Sequence, residues 1–157
     1  MSRSGYVDDC DDPLALGRWR AQVKSAIRGK RGQTFLRELA AAMDAMPIKE
    51  LIAEELIDDE GHCCTIGVVC KARGLDVSKI DYECPENVGE AVGIARQLAA
   101  EIAYENDEIG DRFEKVPEQK PADNRYHPGF RWETVKETPG ERWQRMRKWV
   151  ASHLTST

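Results

Sequence analysis

The sequence predicts a mainly α protein: a single compact helical domain with at most one short β-hairpin. Three observations predict this class. Apolar residues recur at helical spacing in four segments, proline follows an N-capping residue at the start of two of these segments, and the composition is that of a polar globular protein. Of the 157 residues, 41% are hydrophobic and 32% are charged, which is enough apolar material for a core at this length.

The first predicted helix follows Asp12, an N-capping residue whose successor, Pro13, suits the first helical turn. Apolar residues then recur three or four positions apart until Gly29 ends the pattern. A second helix is predicted from about Gln33 to Met46, where Pro47 stops it. The apolar side of the first helix consists of Leu16, Trp19, Val23 and Ile27.

Two further helices are predicted in the second half of the chain. One runs from about Ile94 to Glu105, and its apolar side includes Leu98 and Ile102. The other begins after Thr138, which has the spacing of a capping box with a glutamate three positions later and is followed by proline. The apolar stripe of this last helix consists of Trp143, Met146, Trp149 and Val150.

The middle of the chain is ambiguous between strand and helix. Residues 51–57 fit either structure, and a polar stretch with Gly61 follows them. We expect a short hairpin around Gly61 that leads into a helix from about Thr65 to Arg73, closed by Gly74. The proline-containing segment 108–137 is predicted to be a long irregular loop, a kind of segment that often carries function.

These elements predict one domain. Residues 13–157 are expected to form a single mainly helical domain, preceded by a flexible N-terminus at residues 1–12. The predicted core consists of Leu16, Trp19, Val23, Leu36, Leu39, Ile66, Val69, Leu98, Ile102 and Met146.

Several classes of protein are disfavoured by the composition. No run approaches roughly 18 apolar residues and no apolar signal segment opens the chain, so neither a transmembrane helix nor a secretory signal is predicted. Five cysteines, an odd number, favour a reducing compartment over a disulfide framework. The adjacent Cys63 and Cys64, with His62 before them and Cys70 after them, lack zinc-site spacing and are expected to pack in the core. We expect no metal and no cofactor.

A group of acidic residues at the end of the helix near Glu105 is the first candidate binding surface. Negative charge at a helix C-terminus opposes the helix dipole, and local sequence rules are often broken at functional sites. We therefore predict that these residues meet a basic partner, with an aromatic residue of the irregular loop beside them. Pairing with the protein's own arginines is the alternative. The predicted partner-binding residues are Glu101, Glu105, Asp107, Glu108, Tyr126 and Trp132.

A basic segment near the start of the chain is the second candidate surface. Residues 13–50 hold eight basic and three acidic side chains, whereas residues 51–110 hold four basic and fourteen acidic ones. Because phosphate contacts supply most DNA affinity, nucleic-acid binding is the alternative function. Its predicted contacts are Arg20, Lys24, Lys30 and Arg31. A turn at Gly93 resembles that of a helix-turn-helix unit, but the helix after it is acidic, which favours plain helical packing.

Catalytic motifs are missing from the sequence. It contains no glycine-rich phosphate loop, no nucleophile elbow and no metalloprotease motif, and it has only three histidines. An enzyme is therefore not predicted. The one catalytic arrangement left open is a thiol of Cys63 or Cys64 with His62 as its base.

Blocks of sequence along most of the chain carry a resemblance. They are Ser4-Gly5-Tyr6 with residues 8–12, Trp19-Arg20 through Arg31-Gly32-Gln33, residues 71–76, residues 104–108, and Thr138-Pro139 with Arg142-Trp143. Together these blocks resemble a family of small uncharacterised proteins encoded by bacteriophages and prophages. The block Cys63–Gly67 with Asn106-Asp107 is also similar to a wider set of small helical proteins of unknown function. The family carries no established activity, so the resemblance implies a setting, the cytoplasm of a bacterial host, and no catalytic residue.

The expected function follows from two points: the phage setting that the resemblance implies, and the lack of catalytic motifs in the sequence. The resemblance implies an accessory phage protein that acts by binding a host protein complex. Inhibition of a bacterial defence or nuclease system is the expected consequence, because an acidic face can mimic a phosphate backbone and occupy a nucleic-acid channel.

Overall fold

The computed structural model describes residues 2–6, 11–118 and 129–156. It confirms the predicted class, a mainly α protein with a short β-hairpin. No helix in these ranges is long and apolar enough to cross a membrane. The helices are α1 Pro13–Arg28, α2 Lys30–Ala45, α3 Thr65–Arg73, α4 Pro85–Val92, α5 Arg96–Asp107 and α6 Pro139–His153, and the strands are β1 Arg112–Pro117 and β2 Phe130–Val135.

Three predicted helix ends are confirmed by their capping contacts. The carboxylate of Asp12 accepts hydrogen bonds from the first backbone amides of α1. Thr138 and Glu141 form both hydrogen bonds of a capping box at the start of α6. Gly74 ends α3 in the left-handed conformation, with φ of 68°.

Other boundaries differ from the sequence prediction. Helix α2 begins at Lys30 and not at Gln33, because the single residue Gly29 links it to α1. Gly32 permits this tight junction, since a Cβ there would lie 1.9 Å from the carbonyl oxygen of Ala26. Helix α5 begins at Arg96, and the buried Ile94 lies in the turn before it. Helix α4 packs against α5, which is the helical packing that the turn at Gly93 favoured, although the bounds of α4 were not predicted.

The segment before α3 contains a turn and no regular strand. Ile57 and Cys63 form an isolated antiparallel bridge, and the backbone amide of Asp58 bonds to the carbonyl of His62. Gly61 lies in this turn with φ of 84°. The hairpin predicted around Gly61 is therefore reduced to one bridge, while the helix predicted from Thr65 to Arg73 is confirmed.

The β-hairpin of the fold lies in the segment that we predicted to be irregular, so that prediction is wrong for 112–117 and 130–135. The two strands are antiparallel, with Phe113 opposite Thr134 and Lys115 opposite Trp132. Aromatic and charged residues alternate along β2, which is the period-two pattern of a strand. The base of the hairpin is held to α6 by an ion pair between Arg112 and Glu141, at 3.0 Å.

The core contains most of the predicted residues. Eight of the ten are buried: Val23, Leu36, Leu39, Ile66, Val69, Leu98, Ile102 and Met146. Trp19 is partly buried against this cluster, and Leu16 is a wrong prediction because it is 48% exposed. Helix α5 is central, since it packs against α1, α3, α4 and α6.

Asn106 fixes the C-terminal end of α5. Its side-chain oxygen accepts hydrogen bonds from the amide of Thr65, at 3.1 Å, and from the hydroxyl of Thr65, at 2.7 Å. Its amide nitrogen donates to the carbonyl of Ile52, at 2.9 Å. Because Asn106 is buried, these bonds hold the acidic residues after it in a defined position.

Candidate functional site

Glu101 is an internal residue and not part of a binding surface. It is only 4% exposed, and both carboxylate oxygens accept hydrogen bonds from Arg20, at 2.7 and 2.9 Å. The hydroxyl of Tyr6 donates to the same carboxylate, at 2.7 Å, and accepts a hydrogen bond from the indole of Trp19. Burial and the neighbouring Glu101 carboxylate raise the pKa of Tyr6, so the phenol stays protonated and keeps donating. The prediction that Glu101 meets a partner is wrong.

Glu105 is also turned toward the protein's own arginines. It is half-buried, and a carboxylate oxygen lies 4.0 Å from a guanidinium nitrogen of Arg145. Burial and the nearby Glu101 raise the pKa of Glu105, and Arg145 only partly opposes them. Arg145 also forms a closer ion pair with Glu137, at 2.7 Å. Internal pairing, the alternative left open by the sequence, therefore describes Glu101, whereas Glu105 is only weakly paired with Arg145.

Asp107 is bound by an arginine from the start of the chain. The Arg3 guanidinium donates to both carboxylate oxygens of Asp107, at 2.7 and 2.9 Å, and to the sulfur of Cys64, at 3.7 Å. Burial alone would lower the pKa of Arg3, but Cys64 and Asp107 outweigh it and raise the pKa. Arg3 is 7% exposed, so residues 2–6 lie against the helical domain, and the flexibility expected for residues 1–12 stays a prediction.

Residues 2–6, here named the N-terminal strap, lie along the end of α5. Besides the Arg3 contact, the hydroxyl of Ser4 donates to the carboxylate of Glu108, at 2.8 Å, and Ser2 donates to the same oxygen. Glu108 itself is exposed. The strap therefore contacts three of the four predicted acids, namely Glu101, Asp107 and Glu108. Glu108 is the most exposed of these three.

An acidic depression lies where the strap meets the end of α5. It has a volume of about 420 Å³ and brings together five carboxylates from three parts of the chain with the guanidinium of Arg3. Glu54 has a φ of 71°, and its backbone amide donates to Asp107, at 3.2 Å. We define the acidic depression by Ser2, Arg3, Glu54, Glu55, Tyr82, Glu83, Asp107 and Glu108.

The hairpin presents aromatic residues to solvent. Phe113, Phe130 and Trp132 are 70%, 59% and 68% exposed. Residues directly opposite each other on paired strands share a face, and so do alternate residues of one strand, so the three rings lie on one side of the hairpin. We name this side the aromatic face. Lys115 lies on it with its amine 4.6 Å from the ring centre of Phe130. Tyr126, the other predicted aromatic contact, lies outside the described residues.

The predicted nucleic-acid-binding residues are only partly available. Arg20 is engaged by Glu101, which neutralises it. Lys24, Lys30 and Arg31 are exposed, and the last two line shallow depressions at the junction of α1 and α2. All four basic side chains therefore reach solvent, since Arg20 is 46% exposed, but Arg20 is already paired with Glu101.

The thiols and His62 do not form a catalytic pair. Cys63 and Cys64 are buried, and burial raises the pKa of the Cys63 thiol. The ring of His62 bonds through Nδ1 to Asp58, at 2.9 Å, while the Cys63 sulfur contacts the carbonyl of Gly61. Among the residues that the structure describes, no group of three or more histidine, cysteine or acidic side chains could hold a metal ion.

Sequence reasoning missed Arg3, Phe113, Phe130 and three of the carboxylates of the acidic depression. The alternation of aromatic and charged residues over 130–133 was the available signal for Phe130, whereas residues 112–117 do not alternate and gave no such signal for Phe113. Nothing in the sequence brings Glu54, Glu55 and Glu83 next to Asp107, because they lie on separate loops and turns. Comparison of the chain with protein-family models, with curated proteins and with solved structures gave no match.

Proposed function

We propose that this is a non-enzymatic accessory protein that binds a protein partner through the aromatic face, and that the acidic depression is a second contact for the same partner. The observation that carries the proposal is the exposure of Phe113, Phe130 and Trp132 on one side of the hairpin. Grouped exposed apolar side chains mark interaction sites, and tryptophan is among the residues that contribute most to binding energy in interfaces.

Charge favours a protein over a nucleic acid at this surface. The described part of segment 112–137 carries four basic and four acidic side chains, so the hairpin does not attract phosphate strongly. The acidic depression lies at the end of α5, and its carboxylates would repel a phosphate backbone. Both features suit a partner that offers apolar side chains to the hairpin and basic ones to the depression.

The resemblance to phage and prophage proteins supports a host protein complex as the target. A nuclease or defence complex uses basic residues to hold nucleic acid. An acidic concave site at the end of α5, the helix that precedes the hairpin in the chain, would compete for those residues. The proposed outcome is inhibition of such a complex in the bacterial cytoplasm.

The test is affinity capture from host lysate with matched baits. Wild type, Trp132→Ser and Leu14→Ser are compared with and without nuclease, at 50 and 200 mM salt. Leu14 is the control, because it is 71% exposed and belongs to α1 and not to the aromatic face. We expect wild type and Leu14→Ser to retain one protein species after nuclease treatment. We expect Trp132→Ser to bind it about 30-fold more weakly, as for an interface hot spot.

Two results of this capture would contradict the proposal. Retention that disappears with nuclease and falls steeply with salt would favour the alternative, nucleic-acid binding through Lys24, Lys30 and Arg31. Equal retention by Trp132→Ser and wild type would show that the aromatic face is not the binding surface.

A further inference from the structure

We propose that the N-terminal strap is an internal ligand of the acidic depression, which a basic side chain of the partner displaces. The inference rests on the proposed function and adds its regulation. Arg3 comes from a part of the chain about one hundred residues away from Asp107, and it binds the depression as an arginine from another protein would. The acidic depression therefore already binds one guanidinium group, that of Arg3, through the carboxylate of Asp107.

The contacts of Asp107 make an exchange of guanidinium groups feasible. When Arg3 leaves, Asp107 still accepts hydrogen bonds from the side chain of Asn106, at 2.7 Å, and from the amide of Glu54, at 3.2 Å. An incoming arginine would replace Arg3 at the same carboxylate. The carboxylate of Asp107 therefore stays paired with a cation throughout the exchange. Breaking a buried ion pair is costly mainly because it leaves one buried charge unpaired, and the exchange avoids that state.

The two ends of the strap are held with different strength. Tyr6 is anchored through its hydroxyl to Glu101 and to the indole of Trp19. Outside the strap, the hydroxyls of Ser2 and Ser4 bond to the exposed Glu108, which water can solvate instead. Their other hydrogen bonds lie within the strap, although the side chain of Ser4 is itself buried. Gly5 separates these two groups, with φ of 70° and open space around its Cα. Release of residues 2–4 alone, with Tyr6 staying in place, is therefore the expected motion.

The strap lowers the apparent affinity of the depression for an external cation. A ligand that must first displace an internal competitor binds in proportion to the fraction of molecules in which the competitor is released. Removing the charge of Arg3 abolishes this competition. We expect the affinity of the depression for an arginine-rich peptide to rise about tenfold.

The experiment uses hexa-D-arginine amide as the probe, since trypsin does not cleave it. Binding is measured by calorimetry for wild type, Arg3→Gln and Arg18→Gln. Arg18 is the matched control because it is an exposed arginine on α1 and its replacement changes the net charge equally. The expected result is a gain of about tenfold in affinity for Arg3→Gln relative to Arg18→Gln. Equal affinities for the two variants would overturn the proposal.

A second readout uses the wild-type protein, so it remains informative if Arg3→Gln does not fold. Trypsin cleavage after Arg3 is followed by mass spectrometry with increasing probe. Displacement of the strap exposes the bond between Arg3 and Ser4, so the probe should accelerate this cleavage and leave cleavage after Arg37 unchanged. Binding of the probe without this acceleration would overturn the proposal. Neither readout involves the host partner, so failure here is distinct from failure of the capture experiment.

Discussion

Replacing Glu101 with alanine should lower the free energy of unfolding by about 3 kcal/mol, because it removes a buried carboxylate that accepts three hydrogen bonds, although Arg20 itself is 46% exposed. The substitution removes the acceptor of two hydrogen bonds from Arg20 and one from Tyr6. The hydroxyl of Tyr6 then loses its acceptor, the Glu101 carboxylate, and the indole of Trp19 donates to a hydroxyl that is no longer held in place. Urea unfolding followed by circular dichroism measures the change. An effect below about 0.5 kcal/mol would place Glu101 on an open surface, where substitutions have little effect.

Glu105→Gln is the comparison variant. It removes the charge of a neighbouring acid on α5, but we expect it to keep or raise the stability of the protein at pH 7. Burial and Glu101 raise the pKa of Glu105 above its ordinary value of 4.5. The folded protein therefore holds this proton to higher pH than the unfolded chain does. Wild type loses stability as pH rises from about 4.5 through the raised pKa, and a glutamine does not. We expect Glu105→Gln to equal or exceed wild type in stability at pH 7, with the difference shrinking toward pH 4.5.

Gly67→Ala should cost about 3 kcal/mol of stability. A Cβ at Gly67 would lie 1.8 Å from the carbonyl oxygen of Leu56 and 2.7 Å from its carbon, both of them backbone atoms. Moving that carbonyl would break its hydrogen bond from the amide of Cys64, at 3.0 Å. The better helix propensity of alanine, worth about 1 kcal/mol, does not compensate for this.

The control for this prediction is Gly17→Ala, which makes the same chemical change in α1. Nothing lies within 4 Å of the Cβ that would be added there. We therefore expect Gly17→Ala to raise stability by about 0.5 to 1 kcal/mol through helix propensity. Thermal unfolding of both variants measures the change in stability, which we expect to be a loss for Gly67→Ala and a gain for Gly17→Ala. Similar effects at the two positions would contradict the packing described between α3 and Leu56.

The parts of the fold that depend on local chemistry were predictable from the sequence. Asp12 with Pro13 and Thr138 with Glu141 mark helix starts through hydrogen bonds between residues close in sequence. Gly74 ends α3 because its left-handed conformation is a local property of glycine. Such signals need no knowledge of the rest of the chain.

The hairpin depended on pairing between distant segments and was not predicted at its place in the chain. Which of the acids face the protein's own arginines also depended on distant residues, and the sequence left that open. Residues 112–117 do not alternate, and Pro117 and the long connection separate them from the alternating residues 130–133, so the segment was assigned as irregular. The helix end near Glu105 violates the dipole rule, which was taken as a sign of function. Arg3, Arg20 and Arg145 compensate for that violation, and their positions are set by tertiary packing that no local pattern reveals.

The candidate surface is therefore divided differently from the sequence prediction. Asp107 and Glu108 line the acidic depression, whereas Glu101 is internal and Glu105 faces Arg145. Trp132 is exposed as the predicted function requires, and the structure adds two phenylalanines to its face. The proposal of a protein partner depends most on these three rings.

Photo-crosslinking from the aromatic face tests that proposal most directly. Trp132→p-benzoylphenylalanine and Leu14→p-benzoylphenylalanine are produced in the host and irradiated, and the adducts are analysed after nuclease digestion. We predict a discrete protein adduct from position 132 and none from position 14, because only the first lies on the aromatic face. An adduct that contains nucleic acid, or equal adducts from the two positions, would contradict the account.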